Sequence, residues 1–180
     1  MAFVTILTRH LPARHALLRR NQESLRAQHD PDYTQQILID PLARGWAYAR
    51  QLLVEAARPI TAGYVWIVDD DDYLIDPHGI VELKRAAGHA PPGIIFRGRH
   101  AELGVLPTHS WRQRPARGDI GSFDFILRAD VFRACVSMTS DSDYAHDHAI
   151  IAAAYDQHAA EVVWLDRVIC AADARRLGAN

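Results

Sequence analysis

Hydrophobic positions along the chain fall into short β-rich runs separated by longer stretches in which they recur every three or four residues. The runs at 2–7 (AFVTIL), 35–39 (QQILI) and 64–68 (YVWIV) read as strands, the last as a strand buried on both faces. Between them, 14–28 places Leu17, Leu18, Leu25 and Ala27 among Arg, Gln and Glu, the pattern of a helix with one buried stripe. The segment 45–57 does the same with Trp46, Ala49, Leu52, Leu53 and Ala56. Breakers punctuate these elements: Thr8 to Pro12 reads as a loop, Asp30-Pro31-Asp32 as a turn, and Pro59 with Ala62-Gly63 leads into the third strand.

The second half is less even. Residues 73–77 bring the chain to a helix over 78–87, ended by Gly88, and 94–97 is a strand. No core-building period appears over 98–118, a long polar connection of the kind that forms working loops or disordered ones. A strand over 123–127, a short helix over 129–135, a cap region at 140–143, a helix that includes 147–157 and a last strand over 161–170 follow, with a polar, frayed tail from 171. Alternating strands and helices with short connections predict one α/β domain: a central mixed, mainly parallel sheet flanked by helices. Right-handed crossovers put the ends of the first three strands on one side.

Composition removes several classes of function. The 180 residues are 49% hydrophobic, enough for a substantial core. A net charge of −2 with dispersed Lys and Arg argues against a nucleic-acid partner. The apolar run at 3–7 is too short for a signal peptide, and no window reaches the length of a membrane span, so the expected location is cytoplasmic. Cys135 and Cys170 lack zinc-ligand spacing and read as buried thiols.

The chemistry gathers where the third strand should surface. Asp69-Asp70-Asp71-Asp72 follow it at once, and neighbouring carboxylates raise one another's pKa or demand a counter-charge. Hard oxygen ligands of this type suit Mg²⁺, Mn²⁺ or Ca²⁺; the plain alternative is a solvated acidic turn. The second strand also ends in an acid, Asp40, before Pro41. Thr8, Arg9, Asp40 and the Asp69 to Asp72 run are thereby expected to face one crevice, at the strand ends where ligands bind in open α/β sheets.

Taken together, Thr5 to Arg9, Gln36 to Asp40, Ile67 to Pro77, Gly118 to Phe132 and Tyr144 to Tyr155 resemble the GT-A glycosyltransferases, and among them the inverting family 2 type. The order of pieces covers nearly the whole chain. The resemblance implies a nucleotide-sugar and metal-binding part over 1–97 and an acceptor-side part over 98–180. It implies a donor that is a nucleotide-diphosphate sugar, with UDP expected, an acceptor hydroxyl on a glycan, lipid or small molecule, and Mn²⁺ or Mg²⁺ as cofactor. By the same resemblance Thr8 and Asp40 border the base, Asp69 and Asp70 approach the ribose and sugar, and Asp71 binds the metal. Asp70 or Asp72 takes that ligand role if the strand ends one residue away. Asp147 matches the general base, in a His146-Asp147 pair where the family has Glu-Asp. The first turn and the position of Pro77 depart from the family pattern. The chain is short for the family, and its thin acceptor half implies a partner, a homo-oligomer, or a chain that has kept the fold and lost turnover.

Each assignment has a structural competitor. Asp147 also suits a helix N-terminus, where the dipole favours an acid. His146 and His148 are extra metal ligands or exposed helix residues; Arg114 and Arg117 clamp a diphosphate or are solvated; Trp66 and Trp164 suit the core, and Trp111 an acceptor platform. Two other functions fit parts of the pattern. A haloacid-dehalogenase-type phosphatase also opens with a strand and Asp-x-Asp, with Gly118-Asp119 and Asp124 as its later acids, and a non-catalytic nucleotide- or metal-binding module needs only the acidic edge.

Overall fold

A computed structural model describes residues 2–139 and 146–173, except for the side chain of His146. Its strands in chain order are β1 (Val4–His10), β2 (Tyr33–Ile39), β3 (Tyr64–Ile67), β4 (Asp72–Leu74), β5 (Gly93–His100), β6 (Gly104–Leu106), β7 (Phe125–Arg128) and β8 (Val163–Ala172). Among the described residues five α-helices accompany them: α1 (His15–Arg26), α2 (Trp46–Ala57), α3 (Gly79–Ala86), α4 (Ala129–Met138) and α5 (His146–His158). All eight strands join one sheet, ordered β2-β1-β3-β7-β5-β8-β4, with β6 added to β5. The pairings orient β1, β2, β3, β5 and β8 one way and β4, β6 and β7 the other. The predicted mixed, mainly parallel sheet is thus observed.

Helices cover both faces, which explains the unbroken apolar run of β3. Val65 and Ile67 pack with Leu53 of α2, Phe132 of α4 and Ile150 of α5, while Tyr64, Trp66 and Val68 pack with Leu25 of α1 and Ile80 and Leu83 of α3. Strands β5 and β7 repeat the division, sending Ile95 and Phe125 to the first layer and Phe96 and Ile126 to the second. Cys135 and Cys170 are buried free thiols, as expected, and burial raises the Cys135 thiol to about 11. No described helix is long and apolar enough to cross a membrane.

Several elements differ from the sequence pattern. Thr8, Arg9 and His10 lie inside β1, because β2 offers partners as far as Ile39 and the pairing holds through His10. The acidic run does not lead directly to a helix: Asp72 opens β4, an edge strand paired with Ala172 of β8. The irregular segment contains β6, folded back on β5. Phe123 sits in a 3-10 turn over Ser122–Asp124 rather than in a strand. Gly98 makes that turn possible, since a Cβ there would collide with the Phe123 ring and the Asp124 carboxylate. β8 extends to Ala172, beyond the predicted start of the tail, and β5 runs through 97/98 with its register against β8 shifting on either side of Arg97. The expected cap at 140–143 and the tail from 174 lie outside the described residues.

Candidate active site

The site is assembled at the carboxyl ends of three parallel strands. Strand pairing carries past their formal ends: Asp40 N–H bonds the His10 carbonyl, Val68 N–H that of Leu7, and Asp70 N–H that of Arg9. Asp40, Arg9 and the acidic turn therefore share one rim. The turn is held from beneath by Asn21, a fully buried residue of α1 whose Nδ2 donates to the carbonyls of Asp69 and Asp72 at 3.0 and 2.9 Å. Gln35 fixes Asn21 in turn and donates from the same nitrogen to Thr8 Oγ1 at 2.8 Å.

Four consecutive acids have four different surroundings. Asp69 receives a two-pronged contact from Arg9 at 2.6 Å in each prong. Asp70 is buried, and its oxygens accept from His10 Nδ1, the Leu11 N–H and Arg14 Nη1 at 2.9, 3.0 and 3.1 Å. Asp71 touches Arg14 at 3.4 Å, and Asp72 turns back to accept the Asp69 N–H at 2.9 Å. Burial, then the charge of Asp69, raises the carboxyls of both Asp71 and Asp72, that of Asp72 well above its ordinary value.

Arg9 links this cluster to the other half of the molecule. Its Nη1 and Nη2 reach Asp147, in the first turn of α5, at 3.2 Å each. Burial opposes the guanidinium charge, but Asp147 and Asp69 outweigh it and hold the group well above its ordinary value. The sequence pattern placed Arg9 at the crevice without a role. A cation at a strand end, in register with the first of the acids that follow β3, was the available signal, and Asp147 was too distant in sequence to be paired with it.

Two hollows meet at Asp69. One, of about 210 Å³, lies between the ends of β1 and β2 and the start of α2, and Arg9, His10, Asp40 and Trp46 help line it. The other, of about 270 Å³, is lined by Asp69, Asp71, Asp72 and Asp147 together with His100, Leu106 and Phe123. Thr8 reaches neither: it is fully buried, with its hydroxyl bound to Gln35, because β1 continues past it. Asp70 lines the first hollow, but its oxygens are occupied by internal partners.

Asp69, Asp71 and Asp72 each offer one oxygen within 4.8 Å of the others, the only such three-ligand group among the described residues. An all-carboxylate set suits a hard divalent cation, which would offset the burial and the Asp69 charge that raise Asp71 and Asp72. Since Arg9 already engages both oxygens of Asp69, Asp71 and Asp72 are the better placed pair.

Other sequence candidates settle elsewhere. His148 bonds the Pro115 carbonyl at 3.1 Å, Arg114 pairs with Asp156, and Trp111 packs edge-on against Trp164 beneath Arg97. Asp119 accepts the backbone N–H and hydroxyl of both Thr108 and Ser110; burial pushes its carboxyl up, but these bonds prevail and hold it below the ordinary range. It ties a loop together rather than joining the cluster. Asp124 is fully buried, with Oδ2 on the Gly121 N–H at 2.8 Å and no partner for Oδ1 among the described residues. The two acids that a phosphatase reading requires are both absorbed by the fold.

Asp124 also has a thermodynamic consequence. Burial, opposed by the Gly121 N–H, holds its carboxyl well above the ordinary 3.8. The folded chain keeps a proton that the unfolded chain releases, so stability falls as pH rises from that ordinary value through the raised one. Asp124→Asn keeps the acceptor without the charge. It is expected to raise the melting temperature at pH 7 by about 2–4 °C, equivalent to ~1 kcal/mol, and to flatten its decline above pH 4 in a melting profile.

An α/β sheet of this order, with acids at the carboxyl end of β3 and a cleft across the strand ends, has the GT-A-like glycosyltransferase fold. S. aureus TarS is similar, with a TM-score of 0.74 at 10% identity over 97% of this chain and 37% of that one. The TarS 1–349 structure in complex with UDP-GlcNAc gives 0.69 at 14% identity, covering 99% of this chain and 60% of that one. A glycosyltransferase involved in glycosylation of the major capsid of PBCV-1 gives 0.59 at 11% identity, covering 98% and 94%. The chain thus spans less than two thirds of the TarS chains it matches. No protein-family profile matches it, and no curated protein matches it significantly in sequence. At such identities the likeness establishes the fold.

Proposed function

We propose that the chain transfers a glycosyl group from a nucleoside-diphosphate sugar, with uridine as the base, to an acceptor hydroxyl, inverting the anomeric carbon. The observation that carries this reading is Arg9 bridging Asp69 and Asp147 where the two hollows meet. It joins the space beside Asp40 to a second space that Asp69 and Asp147 line together. Structural neighbours solved with UDP and UDP-GlcNAc favour the same donor class.

In this arrangement Asp40 and the start of α2 receive the base, and the diphosphate crosses above Asp69 and Arg9. Asp71 and Asp72, with Asp69, would hold a divalent cation, which supplies charge stabilisation for the departing diphosphate without proton transfer. Arg9 adds fixed positive charge at the same place, in a cleft where such charge is stronger than in water. Asp147 removes the acceptor proton while the acceptor oxygen bonds the anomeric carbon from the face opposite the diphosphate. The anomeric carbon–oxygen bond to phosphate breaks, and its electron pair leaves on the phosphate oxygen. Arg9 is closer to Asp69, at 2.6 Å, than to Asp147, at 3.2 Å, so the longer contact is the cheaper one to give up when Asp147 accepts a proton.

A melting experiment tests the reading. UDP at 100 times its dissociation constant should stabilise the chain by about 2.7 kcal/mol, with Mn²⁺ required for the full effect. The corresponding sugar nucleotides should release UDP slowly in the absence of acceptor. Stabilisation by Mn²⁺ or UDP with no transfer or hydrolysis of any sugar nucleotide would favour a binding module. Liberation of inorganic phosphate from small phosphoesters would favour a phosphatase.

A further inference from the structure

The second hollow has one wall that the proposed reaction does not use. His100 ends β5, and the chain turns through Glu102 and Leu103 into β6. The backbone N–H groups of Glu102 and Leu103 both donate to His100 Nδ1, at 3.2 and 3.3 Å. Nδ1 therefore carries the ring's lone pair, and the proton of the neutral imidazole resides on Nε2. His100 lines the hollow, and with Nδ1 engaged Nε2–H is the polar group its ring has left to offer a ligand. The other polar side chains of the lining include Asp69, Asp71, Asp72 and Asp147, all acceptors when ionised. Leu106 and Phe123 add apolar surface to the lining, to which Leu103, 54% exposed, also belongs.

We propose that this hollow takes an uncharged, polyhydroxylated sugar ring, with His100 Nε2–H donating to one of its oxygens, and that it excludes a sugar bearing a carboxylate. The inference rests on the transferase reading and names the donor class within it. Hydroxyl groups are donors that an acceptor-rich acidic wall can satisfy, and the C–H face of a sugar ring suits Leu106 and Phe123. His100 supplies the complementary donor to a ring oxygen or a hydroxyl lone pair. A uronate would bring a further negative charge beside four carboxylates and the diphosphate, whose summed charge one divalent cation does not offset. Arg9 and Arg14, the cations touching these acids, lie on the side where the diphosphate also needs charge.

The dull role for His100 is to cap its hairpin through Nδ1, and substitutions separate the two roles. In His100→Asn the amide oxygen takes the place of Nδ1 and keeps the turn bonded, but nothing reaches the Nε2 position. In His100→Gln the amide nitrogen reaches that position. Calorimetric titrations with Mn²⁺ would use UDP, UDP-glucose, UDP-N-acetylglucosamine and UDP-glucuronate. For wild type, the better of the two uncharged sugars is expected to bind at least about tenfold more tightly than UDP-glucuronate, the effect of one unfavourable charge contact of about 1.4 kcal/mol. His100→Asn should weaken that uncharged sugar nucleotide by about three- to tenfold, the range for one hydrogen bond, with UDP unchanged. His100→Gln should recover part of the loss. Equal weakening of UDP and UDP-sugar, no weakening, or UDP-glucuronate bound as well as the others would overturn the sugar assignment while leaving the transferase reading intact. A wild-type chain that binds no uridine nucleotide would overturn both.

Discussion

Asp71→Asn is expected to abolish Mn²⁺-dependent binding of UDP and to lower transfer by about 10³-fold, the scale of several kcal/mol of lost charge stabilisation. The same substitution should leave the metal-free chain as stable as wild type or slightly more so. Burial and the neighbouring charge of Asp69 already hold the Asp71 carboxyl above its ordinary value, with Arg14 opposing, so its ionised form costs the fold stability when no cation offsets it. Asparagine removes that cost together with the ligand. Asp70→Asn should behave in the opposite way. Asp70 is buried among His10, Leu11 and Arg14, so loss of its charge leaves Arg14 without its closest acid and should lower the melting temperature with or without metal. Titration of UDP in the presence and absence of Mn²⁺, beside melting curves of both variants, separates the acid that serves a ligand from the one that serves the fold. Retained metal-dependent binding in Asp71→Asn would remove it from the cation site.

How much of this was readable from sequence depends on whether the determinant is local. The three parallel strands were legible because β1, β2 and β3 are short β-rich runs, each closed by polar or breaking residues, and their shared rim follows from crossover handedness. The acid cluster was legible because four carboxylates cannot follow a buried strand without consequence. What the four do separately was not. Asp70 differs from Asp71 through its bonds to His10 and Leu11 and a shorter contact with the Arg14 they share, some 56–60 positions away, and no local pattern reports that. Thr8 failed to reach the cleft for a related reason: β2 offers backbone partners further along than the composition of 8–12 suggests, so β1 continues and buries it. Strands β4 and β6, three residues each, are fixed by their partners β8 and β5 and carry too few positions to show a period. The same holds for Asp119 and Asp124, whose place in an acidic motif looked chemical until their hydrogen bonds tied them to a loop and a 3-10 turn.

Asp147→Asn provides the second large effect and the sharpest division between competing roles. As a proton acceptor, Asp147 should be worth about 10²–10⁴ in kcat, with donor and Mn²⁺ affinities little changed, because the asparagine oxygen still meets Arg9. As an acid in the first turn of α5 it would be worth only about 0.3–1 kcal/mol of stability through the helix dipole, with no effect on turnover of folded protein. Measuring kcat for transfer beside the melting temperature decides between them. A fall in kcat at constant melting temperature supports the base, and a lower melting temperature at constant kcat supports the helix role. Arg9→Ala completes the test. It strips the partner from two carboxylates at once in a nearly buried setting, where loss of one member of an ion pair costs about 3–5 kcal/mol. If Arg9 serves only to hold α5 against the strand ends, Asp147→Asn should reproduce a large part of that destabilisation. If Asp147 is kept at the cleft for chemistry, the asparagine variant should stay folded, bind the donor and fail to transfer it.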